Sequence, residues 1–183
     1  YCNNRKDLPV EPIFVRDRLN TEARQSGFAD RIVKGIDKVS SQLRMKLDSG
    51  DFDWKQIRDY SKDASQLRKE VGIYLIVHEG FEDKNRQPEM YSGSTSENFQ
   101  ARNYKHRGSE GWGATAPTSP HYRAAKKAQK HYHFPICYFD SDDTEKSDLK
   151  IAEQIFQDLF QTTCTAILQL DSFNETYEDT DAT

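Results

Sequence analysis

The chain has 183 residues, 35% of them hydrophobic and 31% charged, with a formal net charge of -4 at pH 7. That length suits one domain of ordinary size, or a small domain with a helical extension. Ten Phe, nine Tyr and two Trp exclude a wholly disordered chain, because such side chains need burial. The longest apolar run, Ile73 to Val77, falls far short of the roughly 20 residues a membrane-spanning helix requires.

The charge is unevenly spread. Residues 1–70 carry 15 basic and 12 acidic side chains, residues 71–139 carry 9 and 6, and residues 140–183 carry 2 and 12. The acidity thus belongs to the C-terminal portion, and a sequence pI near 5.8 leaves room for a basic face elsewhere. Cys2, Cys137 and Cys164 form an odd, widely spaced set without a CxxC pair, which points to reduced thiols in an intracellular compartment, nuclear or cytoplasmic. No secretory signal pattern opens the chain. It starts with Tyr1 in place of methionine, so we expect a piece of a longer protein with further domains.

Residues 1–20, with Pro9 and Pro12, read as irregular. From about Thr21 to Leu47 the spacing of Phe28, Ile32, Ile36, Val39, Leu43 and Leu47 predicts one amphipathic helix. Ser49-Gly50-Asp51 ends it and starts a shorter helix with Trp54 and Ile57 facing inward. Val71 to Val77 is rich in branched residues and reads as a strand. Residues 79–88 read as a turn or loop, and Met90-Tyr91-Ser92 returns as the second strand of an antiparallel hairpin. Ser94-x-x-Glu97 is a capping-box pattern and predicts a helix running through Arg102 and His106. Gly108 to Pro120 is a loop, residues 121–132 are helix-compatible, and Phe134 to Phe139 reads as a third strand. Ser147 to Gln161 predicts an amphipathic helix with the stripe Leu149, Ala152, Ile155, Phe156, Leu159 and Phe160. Glu153 falls at the edge of that stripe, a partly desolvated carboxylate in need of a cation. Beyond Leu170 the chain is acidic and poor in large aliphatics, the composition of a disordered tail.

The ordered set Gly72-Ile73-Tyr74, Tyr91-Ser92-Gly93, Arg102 with His106, and a later helix-borne Glu153 resembles the GIY-YIG nucleases over roughly residues 71–165. The resemblance implies an α+β fold: a small three-stranded, mostly antiparallel sheet flanked by helices. Residues 1–70 would then be a helical N-terminal extension, either an added unit or a brace across the sheet, residues 71–168 the nuclease-like domain, and residues 169–183 the tail. It also implies a divalent-metal-dependent endonuclease hydrolysing DNA phosphodiester bonds. Tyr74 would activate water with Tyr91 as its hydrogen-bonding partner at the phosphate, or the two would exchange roles. Arg102 and His106, one turn apart, would hold the phosphate, and Glu153 would bind Mg²⁺ or Mn²⁺ through one carboxylate and water. His121 would be a second catalytic histidine. A tyrosine's ordinary pKa near 10 makes it a poor base unless cations lower it, a task expected of Arg102 and the ion.

Between Arg102 and Lys130 there are seven Lys or Arg against one acid, Glu110. Arg123, Lys126, Lys127 and Lys130, placed on one helix, would make a backbone-tracking surface for DNA. His131-x-His133 has no third ligand in sight and reads as incidental. Two positions depart from the family's pattern. Ser94 stands where some members carry lysine, and Thr162, Thr163 and Thr165 stand where many carry asparagine, Asn174 being too distant. Two other readings fit the same residues. One is a catalytically silent nucleic-acid-binding descendant; the other is a protein-interaction module of a larger protein, in which the helices and acidic tail bind partners and the motif survives as packing. Glu153 by itself also reads as a rim carboxylate paired with a nearby lysine or arginine.

Overall fold

The branched run after Val71 becomes β1 (Val71–Glu79), the central strand of a three-stranded antiparallel sheet, with β2 (Glu89–Thr95) on one side and β3 (Lys130–Phe139) on the other. The structure, a computed structural model, describes residues 19–50, 53–108, 111–114, 119–140 and 144–160. Among them, α1 (Glu22–Val39), α2 (Ser41–Ser49) and α3 (Trp54–Asp59) precede a short 3-10 turn, Ala64–Gln66. The hairpin β1 (Val71–Glu79) and β2 (Glu89–Thr95) leads to α4 (Phe99–Arg107) and α5 (Pro120–Lys127). Strand β3 (Lys130–Phe139) returns beside β1, and α6 (Lys146–Leu159) closes the described chain. The architecture is α+β, and among the described residues no helix is long and apolar enough to cross a membrane.

Alternation along β1 divides its side chains between two surfaces. Ile73, Leu75 and Val77 enter a large apolar cluster with Phe28, Ile36, Leu43 and Ile57 of the first three helices and Leu149, Ala152 and Phe156 of α6. Tyr74 and Ile76 face the other way, onto Ala64, Leu67 and Phe99. The N-terminal helices are therefore a brace: they cover one face of the sheet and share its core. Arg31 of α1 reinforces the join by donating from Nη1 to the buried carboxylate of Asp148 on α6, at 3.1 Å.

Local chemistry moves several boundaries. The expected single helix over 21–47 breaks at Ser40, whose extended backbone (φ -169°, ψ 132°) lets its hydroxyl accept from Leu43 N and start α2. The inward face nonetheless continues through Leu43. Gly50 in the left-handed region (φ 67°) ends α2, and Asp53 with Gln56 forms a capping box on α3. The Ser94 box does not form. Ser94 stays in β2, and Asn98 caps α4 by accepting from Ala101 N at 2.8 Å. Helix α5 stops at Lys127, so β3 starts earlier than expected and Lys130 belongs to the sheet. On α6, Ile151 is buried and Leu159 is not, which turns the stripe slightly from the one expected. The expected irregular segment over 1–18, the acidic tail and Thr162, Thr163 and Thr165 lie outside the described residues.

Between Ile73 and Tyr74 the β1–β3 register slips, with Ile73 opposite Cys137 and Tyr74 opposite Pro135. Gly72 lies at this irregularity with φ 144°, and a Cβ there would sit 2.1 Å from the Cys137 carbonyl oxygen. The glycine before Ile73 is thus fixed by how closely β3 passes.

Candidate active site

Tyr74 is fully buried, and its hydroxyl is the hub of the second face. Arg102 donates from Nε to that oxygen at 3.1 Å, and His106 Nε2 lies 2.9 Å away. The other ring nitrogen of His106 meets the Tyr122 hydroxyl at 3.0 Å. The result is a continuous chain, Arg102–Tyr74–His106–Tyr122. Arg102 and His106 reach one target because four residues on a helix return to one face. Gly93 makes room for the ring. It pairs with Tyr74 across the hairpin, and a Cβ at Gly93 would stand 2.5 Å from the Tyr74 hydroxyl and 2.6 Å from Cζ.

This geometry alters one expectation. His106 does not present a free nitrogen to a phosphate, since both ring nitrogens are held by phenols. Arg102 keeps the phosphate-facing option. It commits only Nε, and its Nη groups have no hydrogen-bond partner among the described residues. Nor does Arg102 lower the tyrosines as expected. Burial pushes the Tyr74 phenol up, Tyr91 adds to this, and Arg102 pulls back by less. Burial, aided by Glu153, pushes Tyr91 up to about 12. His106 is neutral near pH 7, because burial, then Arg102 and His78, bring it down to about 3. A bare phenolate at Tyr74 is therefore disfavoured.

Tyr91 packs 6.5 Å from Tyr74 by ring centroids, and His121 stacks on Tyr91 at 4.1 Å and 18°. Glu153 lies at the free edge of β2. Its carboxylate accepts from Ser94 Oγ, from Lys150 Nζ at 2.7 Å and from Gln157 Nε2 at 3.3 Å; Gln157 also donates to the Ser92 carbonyl. The Glu153 side chain is only 12% exposed, and its charge raises both Tyr91 and Tyr74. The structure thus brings Tyr74, Tyr91, Arg102, His106 and His121 together on one face, whereas Glu153 comes from α6, which packs on the opposite face, and meets β2 at Ser94, the partner of Ile73. The desolvated edge position of Glu153 agrees with the helical wheel.

The basic residues are less unified. Arg123, Lys126 and Lys127 are exposed on α5, with Lys126 donating to the Ala114 carbonyl at 2.9 Å. Lys130 stands on β3 with its ammonium 3.6 Å from Glu79. Three of the four therefore share a helix.

Sequence reasoning missed His78, Trp112 and Tyr122, and read His131 and His133 as incidental. Strand alternation contained the missing signal. His78 follows Tyr74 and Ile76 on the same face of β1, and it pairs with His131 while Ile76 pairs with His133. All five histidines of the chain gather on this one face. His133 Nδ1 meets Asn103 Oδ1 at 3.0 Å and its ring lies 4.6 Å from Tyr74. His131 stacks on Trp112 at 5.1 Å.

Among the described residues no set of three or more His, Cys, Asp or Glu surrounds a common metal position. A divalent ion here would rest on Glu153 with water and substrate oxygens, which is how Mg²⁺ commonly binds beside phosphates. The donor chemistry fits such an ion: a mostly desolvated carboxylate beside a serine hydroxyl, with the largely exposed Lys150 ammonium now supplying the positive charge.

The chain matches no family model, no curated protein and no solved structure.

Proposed function

We propose that this chain is a metal-dependent endonuclease of the GIY-YIG kind, hydrolysing phosphodiester bonds in DNA with Mg²⁺ or Mn²⁺. One observation carries the reading: the buried Tyr74 hydroxyl is bracketed by the Arg102 guanidinium and a neutral imidazole. Packing alone gives no reason to gather a half-buried arginine and a buried histidine around a buried phenol oxygen, each costly to desolvate.

The proton path follows from the hydrogen bonds. With the His106 proton on Nδ1, donated to the Tyr122 oxygen, Nε2 is free to accept the Tyr74 O–H. As water attacks phosphorus, its proton passes to the Tyr74 oxygen, the Tyr74 proton to His106 Nε2, the His106 Nδ1 proton to the Tyr122 oxygen, and the proton of the partly exposed Tyr122 to solvent, so that every group ends neutral. No isolated phenolate forms, which matters because burial disfavours one. Arg102 holds Tyr74 through Nε and offers both Nη groups to a non-bridging phosphate oxygen in paired geometry. Tyr91 stands beside the same phosphate as a hydroxyl donor. A hydrated divalent ion on Glu153 supplies Lewis-acid stabilisation of the leaving oxygen when bound. The exposed cations Arg123, Lys126 and Lys127 provide sequence-independent attraction for the DNA backbone.

The Lys150–Glu153 pair favours one competitor, a silent relative that binds DNA without cutting it. Incubating supercoiled plasmid with the chain in Mg²⁺ or Mn²⁺, with EDTA as control, separates the two. Nicking that needs the ion and disappears in Glu153→Ala supports the nuclease. Salt-sensitive binding with no nicking supports the silent relative, and full cleavage by Glu153→Ala removes the metal assignment.

A further inference from the structure

A second hydrogen-bonded chain of side chains ends in the same site. His78, fully buried on β1, places Nδ1 2.9 Å from His131 Nδ1 and Nε2 3.2 Å from His121 Nδ1. Three imidazoles are therefore linked nitrogen to nitrogen. At one end, His131 of β3 is partly exposed and backed by Trp112. At the other, His121 Nε2 is buried, with the His121 ring stacked on Tyr91, and has no hydrogen-bond partner among the described residues. Buried polar atoms are rarely left unpaired, so this nitrogen beside Tyr91 invites a partner that arrives with the substrate.

The connectivity restricts the protons. Each neutral imidazole carries one N–H and one lone pair. If His78 Nε2–H donates to His121 Nδ1, then His121 bears its proton on Nε2 and His131 donates to His78 from Nδ1. Reversing every bond puts the proton of His121 on Nδ1 and that of His131 on Nε2. The trio has two neutral forms, and passing between them moves one proton from end to end without leaving a charge in the interior.

We propose that His131–His78–His121 is a proton relay that delivers a proton to the leaving oxygen. The proposal rests on the nuclease reading above and deepens it. As the bond between phosphorus and the leaving oxygen breaks, His121 Nε2–H gives its proton to that oxygen. The His78 Nε2 proton moves to His121 Nδ1, the His131 Nδ1 proton moves to His78 Nδ1, and water supplies a proton to His131 Nε2. All three rings end neutral, and the electron pair of the broken bond is held as O–H. After product leaves, water at the His121 end re-protonates Nε2 and the chain resets by releasing a proton at His131. The division of labour suits in-line displacement. The Tyr74–His106–Tyr122 chain takes the proton of the attacking water, while the histidine trio ends at His121, stacked on Tyr91. His121 is the group that meets the substrate, and His78 and His131 act through it.

The test begins by mapping a wild-type cut in a defined duplex and placing a bridging sulfur at the leaving position, since a thiolate leaves without protonation. General-acid loss commonly costs 10²- to 10⁴-fold. His121→Ala and His78→Phe should each cut the ordinary duplex on the order of 100-fold more slowly while cutting the sulfur-bridged duplex within about threefold of wild type. His131→Ala should lose roughly tenfold on the ordinary duplex and recover with imidazole in the buffer. Because both substrates are run on one sample, their ratio is independent of how much variant is folded. Equal losses on both duplexes, or no loss on the ordinary one, overturn the relay and leave the nuclease reading standing. A wild-type chain that cuts neither duplex removes the nuclease reading and the relay with it.

Discussion

Acid should unfold this protein earlier than its carboxylates alone would. Burial, with neighbouring charges adding, holds His78, His106 and His121 down to about 3, against an ordinary value near 6.5. The folded state therefore binds fewer protons than the unfolded chain between those values. Stability contributed by these groups is complete above pH 6.5 and is lost as pH falls toward 3. Each histidine gives a slope of about 1.4 kcal/mol per pH unit below 6.5, so lowering the pH from 7 to 5 costs about 2 kcal/mol per ring and about 6 for three. Domains of this size are commonly stable by about 5–15 kcal/mol, so the loss is a large part of the whole. His131 and His133 are displaced in the same direction and add to it. Urea titrations followed by far-ultraviolet circular dichroism at pH 7, 6 and 5 measure the effect. The midpoint should fall steeply across this range, and replacing His106 by Gln should remove about one third of the pH dependence. A midpoint unchanged between pH 7 and 5 would show that these rings are protonated in the folded state, and the neutral chains described above would be wrong.

Gly93→Ala should cost about 1–3 kcal/mol, since its Cβ would press on the Tyr74 ring and hydroxyl from 2.5 Å. It should also displace Tyr74 from Arg102 and His106, so nicking should fall even in conditions where circular dichroism shows the chain fully folded. Lys150→Met removes the ammonium that now occupies the cation side of Glu153. Because Lys150 is largely exposed, the pair is worth at most about 1 kcal/mol, and the variant should bind Mn²⁺ up to about fivefold more tightly by calorimetry. Unchanged or weaker binding would mean that the ion does not seek the position Lys150 holds.

Much of this arrangement was legible because it rests on short-range rules. The β-branched run over 71–77 identified the central strand, alternation put Tyr74 on the face opposite Ile73 and Leu75, and the helical wheel put Glu153 at a desolvated edge. The errors occur where two local rules compete. Ser94 followed by Glu97 satisfies a capping pattern, yet its hydroxyl is claimed by Glu153 while Asn98 caps the helix. Ser40 lies inside an unbroken apolar periodicity, yet it serves as a cap because the chain bends there. Lys130 continued a basic periodicity, but pairing of Glu79 with Lys130 in the β1–β3 ladder drew it into the sheet. His78, Tyr122 and Trp112 were invisible for a different reason. Their partners come from other elements, and only the folded sheet reveals that five scattered histidines share one surface.

The two faces of the sheet divide stability from chemistry, and the N-terminal helices make that division possible. Among the described residues, eighteen buried ones form the cluster on the helical side, drawn from α1, α2 and α3 as well as the strands and α6. The opposite cluster has five, one of which is Tyr74 itself. A bare three-stranded sheet with one helix has little apolar surface to bury, and a polar second face would leave it marginal. By covering Ile73, Leu75 and Val77 so completely, residues 19–60 free the other face to hold imidazoles, phenols and a guanidinium in place of aliphatics. The acid sensitivity derived above is the thermodynamic trace of that choice: the face that gathers the imidazoles is also the face that a lowered pH pulls apart.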